Sequence, residues 1–397
     1  MMLVLQSSED LVKPASWTAP LEISAGGTAW VYRLAEWCSF CFYIKLRVLV
    51  GAVEAELAWH LLQRLLHSAI APRFPRRSIV EQAKGLLPLR ALGRGSYIYP
   101  LFLLLVLAVA LSGCSVRKFA INKLGDSLAN SGTTFASDND PEFVGQAIPF
   151  SLKLIEGLLA ESPKHRGLLY AAASGFTQYS YVYVQQPSDE LESEDVTRSG
   201  DLSVRARNLY LRARDYGLRG LDTKHRGFAE ALHANPKSAV RVAKPEDVPL
   251  LYWTAVSWGA AISLAKDRPD LIAQQPQVEA LIDRAYELNP GYEHGVLDQF
   301  LISYEPARQG APGDFAVRSK AHFDRAVTLT NGQLASPFVT YAETVSVQKQ
   351  NRAEFESLLK QALAVDPDSR PEWRLSNIIM QRRARWLLSR EAALFLE

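Results

Sequence analysis

From Cys114 to its last residue, the sequence never alternates apolar and polar side chains for long enough to predict a β-strand. Its apolar residues instead recur at helical spacing, in segments that proline, glycine or asparagine bring to an end. The candidate helices cover residues 141–160, 164–185, 199–218, 223–233, 245–266, 276–288, 292–304, 314–329, 337–348, 352–364 and 371–388. Consecutive helices of this length pair as antiparallel hairpins. The pattern therefore predicts an all-α fold of helical hairpin repeats that form a superhelix.

A degenerate repeat lies in the second half of the chain. Three helices end at Pro290, Asn331 and Pro367, which are 41 and 36 residues apart. Each has an alanine five positions earlier and a large apolar residue three positions before that alanine: Ala285 with Ile282, Ala326 with Phe323, and Ala362 with Leu359. A tetratricopeptide repeat has a period of roughly 34 residues, and its second helix packs a small residue closely against its partner. The sequence therefore predicts an irregular, tetratricopeptide-like domain over residues 141–397.

The apolar run at residues 99–111 has the pattern of a bacterial lipoprotein signal. A basic stretch precedes it, and it closes with Leu111, Ser112, Gly113 and Cys114. A positive flank, an apolar segment of roughly 7 to 15 residues and small residues at the cut define a secretory signal. We therefore predict a signal peptide at 86–113, lipid attached to Cys114, and a tether over 114–140. The alternative is a membrane-spanning or core helix, but the run is shorter than the roughly 20 apolar residues that span a bilayer.

This signal places the mature chain on a bacterial membrane, facing the periplasm. Ser115 follows the lipidated cysteine, and the absence of aspartate there favours the outer membrane under the sorting convention of Gram-negative bacteria. Residues 1–85 do not fit this organisation, because a signal peptide belongs at the N-terminus. Their tryptophans lie among arginine-rich and proline-rich pieces without a sustained period. We interpret 1–85 as a spurious extension or a disordered segment, with translation starting downstream at an alternative initiator codon.

Charge and motifs exclude several classes of function. The formal net charge is +2, with acidic and basic residues mixed along the chain, which argues against nucleic acid as a partner. Neither a metalloprotease, a nucleophile-elbow nor a Walker motif is present, the histidines lack ligand spacing, and Cys38 and Cys41 have no second pair to complete a zinc site. We therefore predict no catalytic residues, no cofactor and no metal.

An acidic run at 188–195 and a basic run at 381–386 are interpreted as a solvated loop and a solvated helix face. Contact with lipid headgroups or an acidic partner is the alternative for the basic run.

Aromatic residues are concentrated in one part of the predicted superhelix. The candidate ligand contacts are Tyr210, Tyr216, Tyr252, Trp253, Trp258, Phe300 and Tyr304, and the nearby charged residues are Arg212, Arg214, Glu305 and Arg308. Aromatic walls with a few polar groups suit a small apolar or amphipathic ligand. The alternative for each aromatic residue is core packing with its polar tip satisfied.

Four stretches resemble the TatT component family of TRAP transporters. They are residues 209–221 (LYLRARDYGLRGL), 247–260 (DVPLLYWTA followed by WGA), 337–343 (PFVTYAE) and 381–388 (QRRARWLL), and the resemblance spans residues 114–397, including the lipobox. It implies a lipoprotein that associates with the periplasmic solute-binding protein of a tripartite ATP-independent periplasmic transporter. Homotrimers are among the assemblies that it implies, and it assigns no catalytic residue. The rival hypothesis is a tetratricopeptide scaffold lipoprotein for outer-membrane or envelope assembly.

Overall fold

The structure is a computed structural model that describes residues 122–126 and 132–396. The predicted signal peptide, the lipobox, Cys114 and residues 1–85 lie outside the described residues. Within the described part of the chain there are helices and no strand, so the predicted all-α class is confirmed. The helices of six residues or more are α1 (Pro141–Glu161), α2 (Arg166–Ser180), α3 (Gln186–Leu191), α4 (Val196–Asp222), α5 (Phe228–Ala234), α6 (Val248–Ser263), α7 (Gln275–Leu288), α8 (Val296–Tyr304), α9 (Phe315–Leu329), α10 (Ser336–Tyr341), α11 (Arg352–Ala364) and α12 (Arg374–Ser389).

Local sequence explains several helix ends. The Asn351 side chain accepts a hydrogen bond from the backbone N–H of Glu354, so α11 begins at the predicted residue. In the same way, Asp314 caps α9 by accepting from the backbone N–H of Ala316 at 2.9 Å. The helix predicted at 223–233 begins five residues later, at Phe228. The helix predicted at 292–304 also differs at its start. It begins only at Val296, because the three residues before it have a positive φ.

Two predicted helices contain a wider turn. The segment predicted at 164–185 is α2 followed by a π-helical turn at Tyr181–Gln185, and the segment predicted at 337–348 is α10 followed by a π-helical turn at Ala342–Ser346. A π turn inserts one extra residue per turn and rotates the side chains that follow it, and such turns are frequent at functional sites. Apolar periodicity does not predict them.

Each long helix packs mainly on its neighbours in the chain. Helix α4 lies against α2 and α6, α6 against α7, and α8 against α9. In the second half, α10 packs on α11 and α11 on α12. The alanines of the predicted repeat, Ala285, Ala326 and Ala362, are fully buried, as close helix packing requires. The tetratricopeptide-like superhelix itself stays a prediction.

Helices α4 and α6 approach each other closely at Gly217. A Cβ on this glycine would lie 2.1 Å from Oγ1 of Thr254 and 3.3 Å from its backbone Cα. The backbone of α6 therefore limits how far the contact can relax. Gly217 allows the two helices to cross at a distance that any larger residue would increase.

Replacing Gly217 with alanine is expected to lower the free energy of unfolding by about 1–3 kcal/mol, the usual cost of overpacking a core. Gly157 in α1 is the matched control, because it is also inside a helix and a Cβ there would meet nothing within 4 Å. Gly157→Ala should raise the free energy of unfolding by about 0.5–1 kcal/mol, because alanine has a higher helix propensity than glycine. Urea unfolding of both variants measures the difference. A Gly217→Ala variant as stable as Gly157→Ala would contradict the close approach.

Helix α1 has the length and composition of a membrane span, with a mean hydropathy of 1.3 over its apolar window, of which 28% is buried. Its inward residues Leu152 and Ile155 belong to a core shared with α2. On its outer face, Phe143, Phe150 and Leu154 are exposed. The helix is therefore apolar on both sides, and its outer side is uncovered by the rest of the described chain.

Part of the predicted tether is helical and contacts this domain. Residues 122–126 form a short helix beside the turn between α1 and α2. There, Ser162 Oγ donates to Oδ1 of Asn122 at 2.9 Å, and Nε2 of His165 lies 3.1 Å from the Asn122 carbonyl oxygen. A second short helix, Gly132–Ala136, packs against α12.

Candidate functional site

Two of the seven predicted ligand contacts lie in the core with satisfied polar tips. Tyr210 is 1% exposed and donates its hydroxyl to Oε1 of Gln185 at 2.6 Å. Trp258 is fully buried and donates Nε1 to Oε1 of Gln274 at 3.0 Å. Burial raises the pKa of Tyr210 well above its usual value. Both side chains are placed where packing alone accounts for them.

All seven aromatic residues belong to one hydrophobic core or pack against it, but three of them have other immediate neighbours. Phe300 and Tyr304 stack at a centroid distance of 5.2 Å on α8. Tyr216 on α4 donates its hydroxyl to Oε1 of Glu156 at 2.7 Å and stacks on Phe176. The described contacts therefore place Phe300 with Tyr304 on one helix and Tyr216 against α1 and α2.

The charged residues predicted to serve the ligand form ion pairs within the protein. The partners are Glu156 for Arg212 at 2.5 Å, Asp215 for Arg214 at 2.8 Å, Asp283 for Arg308 at 2.8 Å, and Arg318 for Glu305 at 2.5 Å. Arg214 also lies over the Trp258 ring, and Arg308 over that of Tyr304. These pairs already neutralise the four side chains.

The remaining two candidates, Tyr252 and Trp253, belong to a different group of side chains. Their rings meet edge to face at 4.9 Å, and the Tyr252 ring lies 6.1 Å from that of Tyr292. Tyr292 donates its hydroxyl to Oε1 of Glu293 at 3.0 Å. Tyr170 on α2 lies against Trp253 and Tyr292. We refer to these five residues, Tyr170, Tyr252, Trp253, Tyr292 and Glu293, as the Glu293 cluster.

The backbone that carries Glu293 is unusual. Glu293 has φ 40° and ψ 54°, His294 has φ 54°, and Gly295 has φ 88°. Two consecutive non-glycine residues in the left-handed region are costly and persist only when their surroundings hold them. The sequence prediction placed this turn inside a helix and missed Tyr170, Tyr292 and Glu293. The glycines at 291 and 295 on either side were a signal for the turn.

The ionisable groups of the cluster are perturbed. Burial raises the pKa of Glu293 to about 7, and it raises that of Tyr170 to about 12. Burial also raises the pKa of Tyr252 and of Tyr292 above the usual range of a phenol. The three phenols therefore stay neutral at physiological pH while Glu293 titrates close to it.

A second group of polar side chains surrounds Arg383 of α12. This residue is 5% exposed, and its Nη2 lies 2.8 Å from Oδ2 of Asp189 in α3 and 2.5 Å from Oε1 of Glu343. Its guanidinium also lies 4.1 Å from the centroid of the Trp386 ring. Glu343 is part of the second π-helical turn. One buried cation thus joins segments almost 200 positions apart in the chain.

This arrangement corrects the interpretation of the two charged runs. The basic run was predicted to be a solvated helix face, but Gln381 and Arg383 are buried. The acidic run was predicted to be a solvated loop, but Ser188 is buried and Asp189 pairs with Arg383. The prediction was wrong for these residues because distant segments pack on them. Arg383 and Asp189 meet each other, Gln381 donates to carbonyl oxygens at the end of α11, and Ser188 donates to the carbonyl oxygen of Ser199. Burial raises the pKa of Asp189 to about 6.

No group of three or more metal-ligating side chains occurs within residues 122–126 and 132–396. A sequence model of the family described as TRAP transporter T-component matches residues 137–395. An uncharacterised protein of Treponema pallidum (strain Nichols) is 29% identical over 308 residues, which cover 72% of this chain and 94% of the relative. The family match includes every helix from α1 to α12, and it points to a transport component and to no catalytic family.

Proposed function

Because the chain belongs to the TRAP transporter T-component family, we propose that it is a lipid-anchored accessory component of a tripartite ATP-independent periplasmic transport system. In this role it binds the periplasmic solute-binding protein of that system. The observation that carries the proposal is the extent of the family match, residues 137–395, which covers nearly all of the described helical domain. The sequence stretches that resemble the family lie within this domain or in the lipobox ahead of it.

The short helix at 122–126 supports a membrane-proximal position for the domain. Only seven residues separate Cys114 from Asn122, which contacts Ser162 and His165. A fully extended chain spans at most about 3.5 Å per residue, so this stretch reaches no more than about 28 Å. An acylated Cys114 would therefore hold the turn between α1 and α2 within that distance of the membrane.

The outer face of α1 agrees with this position. Phe143, Phe150 and Leu154 are exposed on the helix that ends at the tethered turn. Exposed apolar side chains on one helix face are suited to an interfacial lipid environment. We assign this face to contact with the membrane surface, which leaves the remaining helices available to the solute-binding protein.

The proposal is tested by a pull-down from detergent-solubilised envelopes, with the full chain carrying a C-terminal tag and with mass spectrometry of the bound proteins. We expect a periplasmic solute-binding protein to be enriched. An unrelated tagged lipoprotein of the same compartment serves as the control for adventitious capture. Recovery of outer-membrane assembly factors alone would overturn the proposal in favour of an envelope scaffold.

The small-molecule part of the role rests on fewer residues than the sequence suggested. Tyr252 and Trp253 remain our ligand-contact candidates, because they belong to the Glu293 cluster. Tyr216, Phe300 and Tyr304 are secondary candidates, since they pack in the same hydrophobic core but outside the Glu293 cluster. Tyr210 and Trp258 are better explained by packing.

A further inference from the structure

The Glu293 cluster combines aromatic rings with one carboxyl group. Tyr252 and Trp253 are buried, whereas Tyr170, Tyr292 and Glu293 are half-buried, so the cluster extends from the core towards solvent. The Tyr252 ring contacts both Trp253 and Tyr292 in edge-to-face geometry. The faces of aromatic rings carry negative electrostatic potential and attract cations.

The carboxyl group adds a negative charge to this aromatic surrounding. It accepts a hydrogen bond from the hydroxyl of Tyr292, and the phenols of Tyr170 and Tyr252 also face it. No lysine or arginine within residues 122–126 and 132–396 forms an ion pair with it. Burial removes water from the ionised carboxylate and makes it unfavourable, and this explains why the pKa of Glu293 rises to about 7. An incoming cation would relieve that cost.

The backbone conformation of Glu293 is a second sign of a functional position. A glycine at 293 would adopt φ 40° more readily, yet the chain has glutamate there and histidine next to it. Strain of this kind concentrates at ligand-binding and switch regions. The turn directs the carboxyl group to the Tyr292 hydroxyl instead of continuing the helix.

From this geometry we propose that the Glu293 cluster binds a small organic cation, a quaternary ammonium or a protonated amine. Tyr170, Tyr252 and Tyr292 supply aromatic surfaces, and Glu293 supplies the counter-charge. An anionic ligand would be repelled by both the carboxylate and the ring faces.

The test uses choline, which has a quaternary ammonium group and a hydroxyl, in isothermal titration calorimetry with the full-length protein. Its neutral isostere 3,3-dimethylbutan-1-ol has the same shape with carbon in place of the charged nitrogen. We expect choline to bind at least about 10-fold more tightly than the isostere, because cation–π attraction and the carboxylate act only on charge. Equal affinities, or no binding of choline at millimolar concentration, would overturn the proposal.

Substitutions locate the site. Glu293→Gln keeps the size of the side chain and removes its charge, and it should weaken choline binding by about 10-fold to 100-fold. Glu279→Gln is the matched control, because Glu279 is another partly buried glutamate with a raised pKa but lies beside Tyr304. It should leave binding unchanged. Equal loss in both variants, or none in Glu293→Gln, would contradict the assignment.

A second variant guards against a folding defect. Tyr170→Leu removes a half-buried aromatic surface and should weaken choline binding by about 5-fold to 30-fold, with little change in the thermal midpoint. Full affinity in this variant would count against an aromatic cage. Because these measurements need no partner protein, they fail or succeed independently of the pull-down that tests the transport role.

The pH dependence provides a further readout. Three phenols face Glu293, namely Tyr170, Tyr252 and Tyr292, and all stay neutral below pH 9; His294 is adjacent, with its ring on Trp373. Only the ionised carboxylate pairs with a cation, so choline affinity should rise about 10-fold between pH 6 and pH 8. The rise should persist in His294→Asn and disappear in Glu293→Gln. A rise that follows His294 instead would overturn the assignment.

Discussion

Replacing Arg383 with methionine is expected to lower the free energy of unfolding by about 3–5 kcal/mol, the usual cost of removing one partner from a buried ion pair. Arg383 is 5% exposed and pairs with both Asp189 and Glu343. Methionine fills a similar volume against Trp386 but leaves two carboxylates facing each other without a cation. The loss should be seen in urea or thermal unfolding.

The adjacent residue is the matched control. Arg382 also pairs with a glutamate, Glu142, but both side chains are solvent-accessible. Exposed ion pairs contribute little, because water and salt screen them. The free energy of unfolding of Arg382→Met should therefore be close to that of the unmodified protein. Similar losses in the two variants would show that Arg383 is no more important to the fold than its solvated neighbour.

The effect of Arg383→Met should also depend on pH. Burial raises the pKa of Asp189 from 3.8 to about 6, so the folded state holds this proton more tightly and the stability contributed by the carboxyl falls as pH rises through that range. Arg383 opposes the rise. Without it, the carboxylate becomes more costly at pH 7.5 than at pH 5, where it is protonated. The destabilisation should accordingly be smaller at pH 5.

Replacing Cys114 with alanine is expected to abolish lipid attachment and processing altogether. The thiolate of Cys114 is the proposed acceptor of the diacylglycerol group, and cleavage before this residue follows lipidation. Metabolic labelling with an alkyne fatty acid, together with intact mass measurement, should show a labelled chain beginning at Cys114. The Cys114→Ala protein should carry no label and retain the residues before 114.

Ser115→Ala controls for a change beside the cleavage site, and it should be labelled and processed normally. Label on Cys114→Ala would show that the lipid is attached elsewhere. A mature chain that begins upstream and carries no label would remove the anchor from the proposed function. The family membership would remain, because the family match begins at residue 137.

Helix positions could be predicted from the sequence because they depend on neighbours within the chain. The prediction for α11 matched both ends, since Asn351 caps its first turn and the apolar period continues to Ala364. The turn at 292–295 could not be predicted in the same way. The glycines at 291 and 295 are a signal for a turn, but the left-handed backbone of Glu293 and His294 between them depends on packing against distant side chains such as Tyr252.

The candidate site shows the same division. Seven aromatic residues were selected by position along the chain, but only Tyr252 and Trp253 lie in the Glu293 cluster. Tyr170 and Glu293, which complete it, come from helix α2 and from an irregular turn more than 120 positions away. A spacing rule within one helix cannot bring such residues together.

The sequence by itself determined the all-α class, most helix ends and the family. Helical periodicity, capping residues and family motifs each depend on residues that are close together in the sequence. Only the tertiary structure decided which polar residues are buried. Arg382 and Arg383 are neighbours in one basic run, yet one is solvated and the other joins Asp189 to Glu343. A helix face becomes interior or exterior only when another segment packs against it, and that contact depends on residues far away in the chain.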